Sequence, residues 1–142
     1  AAKTLFGSPT VVVDFGSATT CDVIDENEAF IGGAIAPGID ISAHHLIEKT
    51  ALLKSAAFQF PDKVVGRNTK TNLQSGIMFG GIDAINGMLN RIQTEMNWES
   101  MNVILTGGFS KLISPQLHRH HELIPHLTLD GMRLIAGETI VK

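Results

Sequence analysis

The chain of 142 residues has one cysteine, Cys21, so no internal disulfide is available and the sequence fits a reducing compartment. Cys21 lies among apolar neighbours and reads as a small core residue rather than a nucleophile. No basic arm or tail is present. The 11 Lys and Arg are scattered against 14 Asp and Glu, for a net charge of −3, which excludes a basic face for nucleic acid or an anionic membrane surface. No apolar run approaches the ~20 residues of a transmembrane helix, and the opening residues do not read as a signal peptide, so a cytoplasmic location is expected. Cysteine or spaced acid pairs that would turn histidines into a metal site are also missing. His44 and His45 are adjacent and point in different directions on a helix, while His118, His120, His121 and His126 crowd what reads as a solvated loop. What remains is an ordinary globular composition, 44% hydrophobic and 18% charged. Residues 1–142 are read as a single domain, able to bury about 68–70% of its unfolded surface.

The most informative stretch is Thr10-Val-Val-Val-Asp-Phe-Gly-Ser-Ala-Thr-Thr-Cys-Asp-Val-Ile24. Val11 to Val13 reads as a buried strand ending on Asp14, Phe15-Gly16-Ser17-Ala18 as a turn, and Thr19 to Ile24 as the returning strand. Glycine in such a turn lets backbone N–H groups approach an anion, and Ser17, Thr19 and Thr20 add hydroxyls. An acid at the strand end can hold a cation, directly or through water, beside a bound phosphate. Two readings stay open on this pattern: a phosphate hairpin for ATP, or an ordinary hairpin with a polar turn.

Around it, Ala1 to Phe6 followed by Gly7-Ser-Pro9 reads as the last turns of a helix and its stop, with sequence expected upstream. Ala29 to Ala36 completes a three-stranded antiparallel meander, and Gly32-Gly33 within it predicts a bulge or a close approach. An irregular apolar stripe from Ile39 to Ile47 predicts a helix. Ala51 to Pro61 is an apolar connection with no assignment, and Gly66-Arg-Asn-Thr69 is a second candidate binding loop. The longest helical pattern runs from about Thr71 to Asn97, with Gly76, Gly80, Ala84 and Gly87 along one side. An interior glycine costs a helix about 1 kcal/mol, so this side predicts close approach of another backbone, whether a neighbouring helix, a second subunit or a ligand. Asn102 to Thr106 reads as a buried strand. Gly107-Gly108 and a helix from Phe109 to Ile113 follow, a turn on which a nucleotide can lie against bare backbone. A short strand near Glu122 to Ile124 and a helix over Leu127 to Ile135, with Thr128 or Asp130 near its start, finish the chain.

This order of elements resembles one half of the actin/Hsp70/sugar-kinase fold. The expected class is therefore α/β: a ribonuclease-H-like domain whose antiparallel meander is extended by parallel strands, with helices on both faces. The combination Val13-Asp-Phe-Gly-Ser-Ala-Thr-Thr20, Gly32-Gly-Ala-Ile-Ala-Pro-Gly38, Gly66-Arg-Asn-Thr69 with Gln74-Ser-Gly76, Thr106-Gly-Gly108 and Leu127-Thr-Leu-Asp-Gly131 is more specific. It resembles the C-terminal part of type III pantothenate kinases over nearly the whole chain. The resemblance implies a cytoplasmic homodimer that phosphorylates pantothenate with ATP, the first step of coenzyme A synthesis. It also implies a divalent metal such as Mg and a monovalent cation, K or NH4. By the same resemblance Asp14 ligates the monovalent cation, Gly16, Ser17, Gly107 and Gly108 belong to the ATP site, and Thr69 contacts pantothenate. Ser17 stands where the family usually has threonine and keeps the hydroxyl. Leu53 stands where proline is common.

The departure is at the front. The family's first phosphate hairpin and its Gly-x-Asp-Arg segment, which carries the general base, have no counterpart in this sequence. No catalytic residue is therefore assigned here, and the N-terminal half of the kinase, on the same or a separate chain, is the expected partner. Half a cleft should be almost inactive alone, because phosphoryl transfer depends on positioning and charge stabilisation. The alternative is a non-catalytic nucleotide-binding or regulatory module of the same fold.

Overall fold

The computed structural model of the protein describes residues 1–49 and 59–137. A short helix α1 (Ala2–Phe6) leads into β1 (Thr10–Phe15), β2 (Ala18–Ile24) and β3 (Phe30–Pro37), followed by α2 (Ile39–Glu48). The long helix α3 (Thr69–Glu95), β4 (Asn102–Thr106), α4 (Ser110–Ile113), β5 (Glu122–Leu123) and α5 (Leu127–Ile135) complete the order. The strands form one sheet in the order β3-β2-β1-β4-β5. The first three pair antiparallel, while β4 pairs parallel to β1 and β5 parallel to β4. This is the antiparallel meander of the sequence pattern, extended by the parallel strands that the fold resemblance implies.

The period-2 alternation of the strands divides the side chains between two cores. Val11, Val13, Phe15, Cys21 and Val23 face the larger one, where they meet Met78, Ile82, Ile85 and Leu89 of α3 and Ile113 of α4. Val12 and Ile104 face the other side, against Ala2 of α1 and Leu127 of α5. Helices thus cover both faces, with α2, α3 and α4 on one and α1 and α5 on the other. Cys21 is buried and its thiol pKa is pushed up to about 11, by burial first and then by the charge of Asp22. It stays a protonated core residue at neutral pH.

Element ends differ from the sequence pattern by a residue or two, and one shift has a clear cause. α3 begins at Thr69 because Asn68 caps it: its side-chain oxygen accepts the Thr71 N–H at 3.0 Å while the Thr71 hydroxyl accepts the Asn68 N–H at 3.3 Å. At the start of α5 neither Thr128 nor Asp130 caps. His126 holds the cap position without a side-chain hydrogen bond. Gly33 lies so close to the β2 backbone that a Cβ there would stand 2.9 Å from the Cys21 carbonyl carbon, and the β2–β3 register shifts nearby, between Val23 and Ile24.

The small-residue side of α3 meets less than its composition suggests. Gly76 and Gly80 are exposed, and among the described residues a Cβ built at Gly76, Gly80 or Gly87 would find no heavy atom within 4 Å beyond the helix's own backbone. Gly81 is the one that faces a neighbour: a Cβ built there would stand 3.4 Å from the Ile39 side chain of α2. The histidine-rich loop is fixed to α3 by Arg119, which donates to Gln93 and Asn90 at 2.7 Å. His121 shares a 2.8 Å hydrogen bond with the Ser114 hydroxyl, and its Nδ1 lies 2.7 Å from the Arg119 carbonyl oxygen. The apolar connection read over Ala51 to Pro61, including Leu53, lies mostly outside the described residues.

Candidate functional site

Two parallel strands ending together build the site. β1 and β4 pair in a register that sets Asp14 opposite Thr106, so the acid and the start of the Gly107-Gly108 turn arrive side by side. Gly107 has φ +88°, a conformation side chains rarely adopt. A Cβ there would lie 2.7 Å from the Phe15 backbone and against the Asp14 carboxylate. Only glycine allows this approach. The turn is closed by the Phe109 N–H donating to the Phe15 carbonyl at 3.3 Å and by the Ser110 hydroxyl donating to the Gly107 carbonyl at 2.6 Å.

The hairpin tip lies at the same strand ends. Gly16 N–H donates to the Ala18 carbonyl, and the Ser17 carbonyl accepts from Gly38 N–H, both at 3.0 Å. The Ser17 residue is exposed, and so is Gly108. α4 is a single turn that runs into a 3-10 turn at Ser114–Gln116. Attraction of an anion here therefore rests on turn N–H groups more than on a helix dipole, which needs several aligned turns.

Asp14 opens into a groove of about 390 Å³ lined by Val12, Asp22, Thr106, Leu127 and Thr128 among others. Its carboxyl pKa is raised, first by burial and second by the nearby negative charge of Asp22. Among the described residues no hydrogen bond reaches the Asp14 carboxylate. The donor set facing the groove consists of carboxylate and hydroxyl oxygens, the chemistry of a hard cation. Among the described residues no three His, Cys, Asp or Glu side chains converge on one point, so an ion here would meet at most two carboxylates.

A second cavity, about 710 Å³, opens on the opposite side of the sheet between α2 and α3. Phe15, Thr19, Leu46, Thr69, Asn72 and Ile85 contribute to its mostly apolar wall. Thr69 sits here, exposed, at the first position of α3. The structure therefore brings Asp14, Gly16, Ser17, Gly107 and Gly108 to one set of strand ends and leaves Thr69 on another wall.

A profile of the type III pantothenate kinase family matches residues 1–91. The chain belongs to the type III pantothenate kinase family. It is 41% identical over 131 residues to a type III pantothenate kinase of Moorella thermoacetica, covering 92% of this chain and 51% of that protein. It is 44% identical over 133 residues to one of Thermomicrobium roseum, covering 94% and 51%. The chain spans about half the length of the curated relatives it matches. Among solved structures, a Baf family transcriptional activator from Campylobacter jejuni aligns with a TM-score of 0.67 and 24% identity, over 96% of this chain and 60% of that one. The activator of the 2-hydroxyisocaproyl-CoA dehydratase from Clostridium difficile, solved with bound ADPNP, aligns at TM-score 0.50 and 9% identity over 99% and 68%. At these identities both show the fold alone, an actin-like ATPase half.

Within the groove, three residues escape sequence reading: Asp22, the side chain of Thr106, and Thr128. Asp22 was accessible in principle. A two-residue turn at Gly16-Ser17 fixes the hairpin register, and that register puts Asp22 on the same face as Asp14. Thr128 carries no such signal, because its place depends on how α5 packs across the sheet.

Proposed function

We propose that this chain is the C-terminal half of an ATP-dependent pantothenate kinase, which makes 4'-phosphopantothenate in the first step of coenzyme A synthesis. The observation that carries the reading is the strand-end shelf, where Asp14 lies against a Gly107 that admits no side chain. In this reading Asp14 holds a monovalent cation, potassium or ammonium. Gly16, Ser17, Gly107 and Gly108 receive ATP with its Mg ion, and Thr69 contacts pantothenate. The ion, when bound, offsets negative charge beside the phosphates. The chain's own part is to fix its carboxylate, present turn N–H groups and a hydroxyl, and keep side chains away from the nucleotide. The Clostridium difficile fold neighbour was solved with bound ADPNP, which supports an ATP-type nucleotide as a ligand of this fold.

The 142 residues act in this reading as one ribonuclease-H-like domain, with the proton acceptor on an N-terminal half that forms the facing wall. The length relation to the relatives supports that partner, and so does α5, which exposes Leu129, Met132 and Ile135 in one apolar stripe. A cytoplasmic homodimer belongs to the same proposal. Thr69 and Asp14 line different cavities on opposite faces, and the open glycine side of α3 leaves room for a second copy. Among the described residues no helix is long and apolar enough to cross a membrane. The test is pantothenate- and ATP-dependent ADP release. The chain alone should give none, and adding the N-terminal half of a relative should restore it. Turnover by the 142 residues alone would overturn the proposal. ATP binding without turnover in the combined halves would favour the non-catalytic module.

A further inference from the structure

Asp22 has no part in the reading above, yet it faces the same groove. β1 and β2 pair Asp14 with Thr20 and Val12 with Asp22, so Asp14, Thr20 and Asp22 project from one face of the hairpin. Diagonal neighbours in an antiparallel pair lie about 7–8 Å apart at the backbone, within joint reach of one ion. Thr20 donates its hydroxyl to Oδ2 of Asp22 at 3.1 Å, which holds that carboxylate in place.

The charge balance of the groove adds an independent argument. Four charged side chains line it: Lys3, Glu28, Asp14 and Asp22. Lys3 is engaged by Glu28 at 3.0 Å, so among the described residues the two aspartates are left without a cationic side chain, and the Ala1 α-amino group is the other cationic group of the lining. Their mutual repulsion is relieved by a cation between or beside them.

We propose that Asp22 is a positioning residue for the groove's monovalent cation, a second carboxylate that sets how tightly the ion is held at Asp14. The proposal rests on Asp14 being the cation ligand. Thr20 orients Asp22, and Asp22 adds field at the ion without touching the transferred phosphoryl group.

The test uses the 142-residue chain and potassium chloride, with choline chloride holding ionic strength constant. Thermal melting and direct calorimetric titration are the readouts, so no enzyme turnover is involved. Potassium should raise the melting midpoint of the wild type, and Asp14→Asn should abolish the response. Asp22→Asn should raise the half-saturating potassium concentration about tenfold, as expected when a partner outside the direct ligands is lost. Thr20→Val keeps the carboxylate but releases it, and should give a smaller rise; it decides the matter should Asp22→Asn not fold. Glu95→Gln, on α3, should change nothing. An Asp22→Asn or Thr20→Val chain that binds potassium as the wild type does would overturn the proposal while leaving the Asp14 reading intact. A wild-type chain indifferent to potassium would overturn both.

Discussion

Asp14 is half-buried, next to a second carboxylate, and without a hydrogen-bond donor among the described residues, so ionising it in the cation-free chain works against the fold. Its pKa is higher in the folded chain than the ordinary carboxylate value near 4. A raised pKa means that its contribution to stability is fully present below about pH 4 and is lost as pH rises through the folded value. Asp14→Asn should therefore melt higher than wild type at pH 7 in choline buffer, with the difference shrinking towards pH 4. Melting curves over that pH range check this, and a less stable variant at pH 7 would contradict it. Gly107 is the complementary case. Gly107→Ala imposes a disfavoured φ and a collision with Asp14 and Phe15, and should cost about 1–3 kcal/mol in urea unfolding. Both residues were legible in the sequence as an acid and a glycine ending adjacent buried strands. Their contact was not, because it depends on the β1–β4 register, which no local pattern records.

At the scale of elements, the sheet and α3 carry the stability. Leu89 is fully buried in the core between α3 and the sheet, with Val11, Val13 and Leu105 in the same cluster. Leu89→Ala should cost about 2–5 kcal/mol by denaturant unfolding without changing the groove on the far face. A cost below about 1 kcal/mol would mean that α3 is not the main cover of this face. The strands and both long helices were readable from period-2 and period-3.6 patterns, since burial dictates those periods. The α3 start shifted because threonine at the third position of the cap does the work more often done by glutamate. The glycine side of α3 was legible as unusual, yet its purpose was not: the compensating contact expected of it is absent within the described residues.

For the molecule as a whole, the ordered pattern of meander, helix, long helix and two strand–helix units is enough to specify a five-stranded sheet covered on both faces. Parallel β4 and β5 follow from the need to return across a helix. The family was legible only because several weak motifs occur together and in order, each of which alone is ordinary loop chemistry. The two cavities were not legible. Phe15 and Asp14 are neighbours in sequence yet face opposite sides of the sheet, so motifs close in sequence serve separate walls. The most direct measurement joins the N-terminal half of the Moorella thermoacetica relative ahead of Ala1 and follows pantothenate phosphorylation by ATP with potassium present. The account predicts turnover by the joined chain and a loss of at least about tenfold in its Asp14→Asn variant, as for removal of a charge-positioning group. A folded joined chain that is inactive, or one in which Asp14→Asn turns over as fast as the parent, would contradict it.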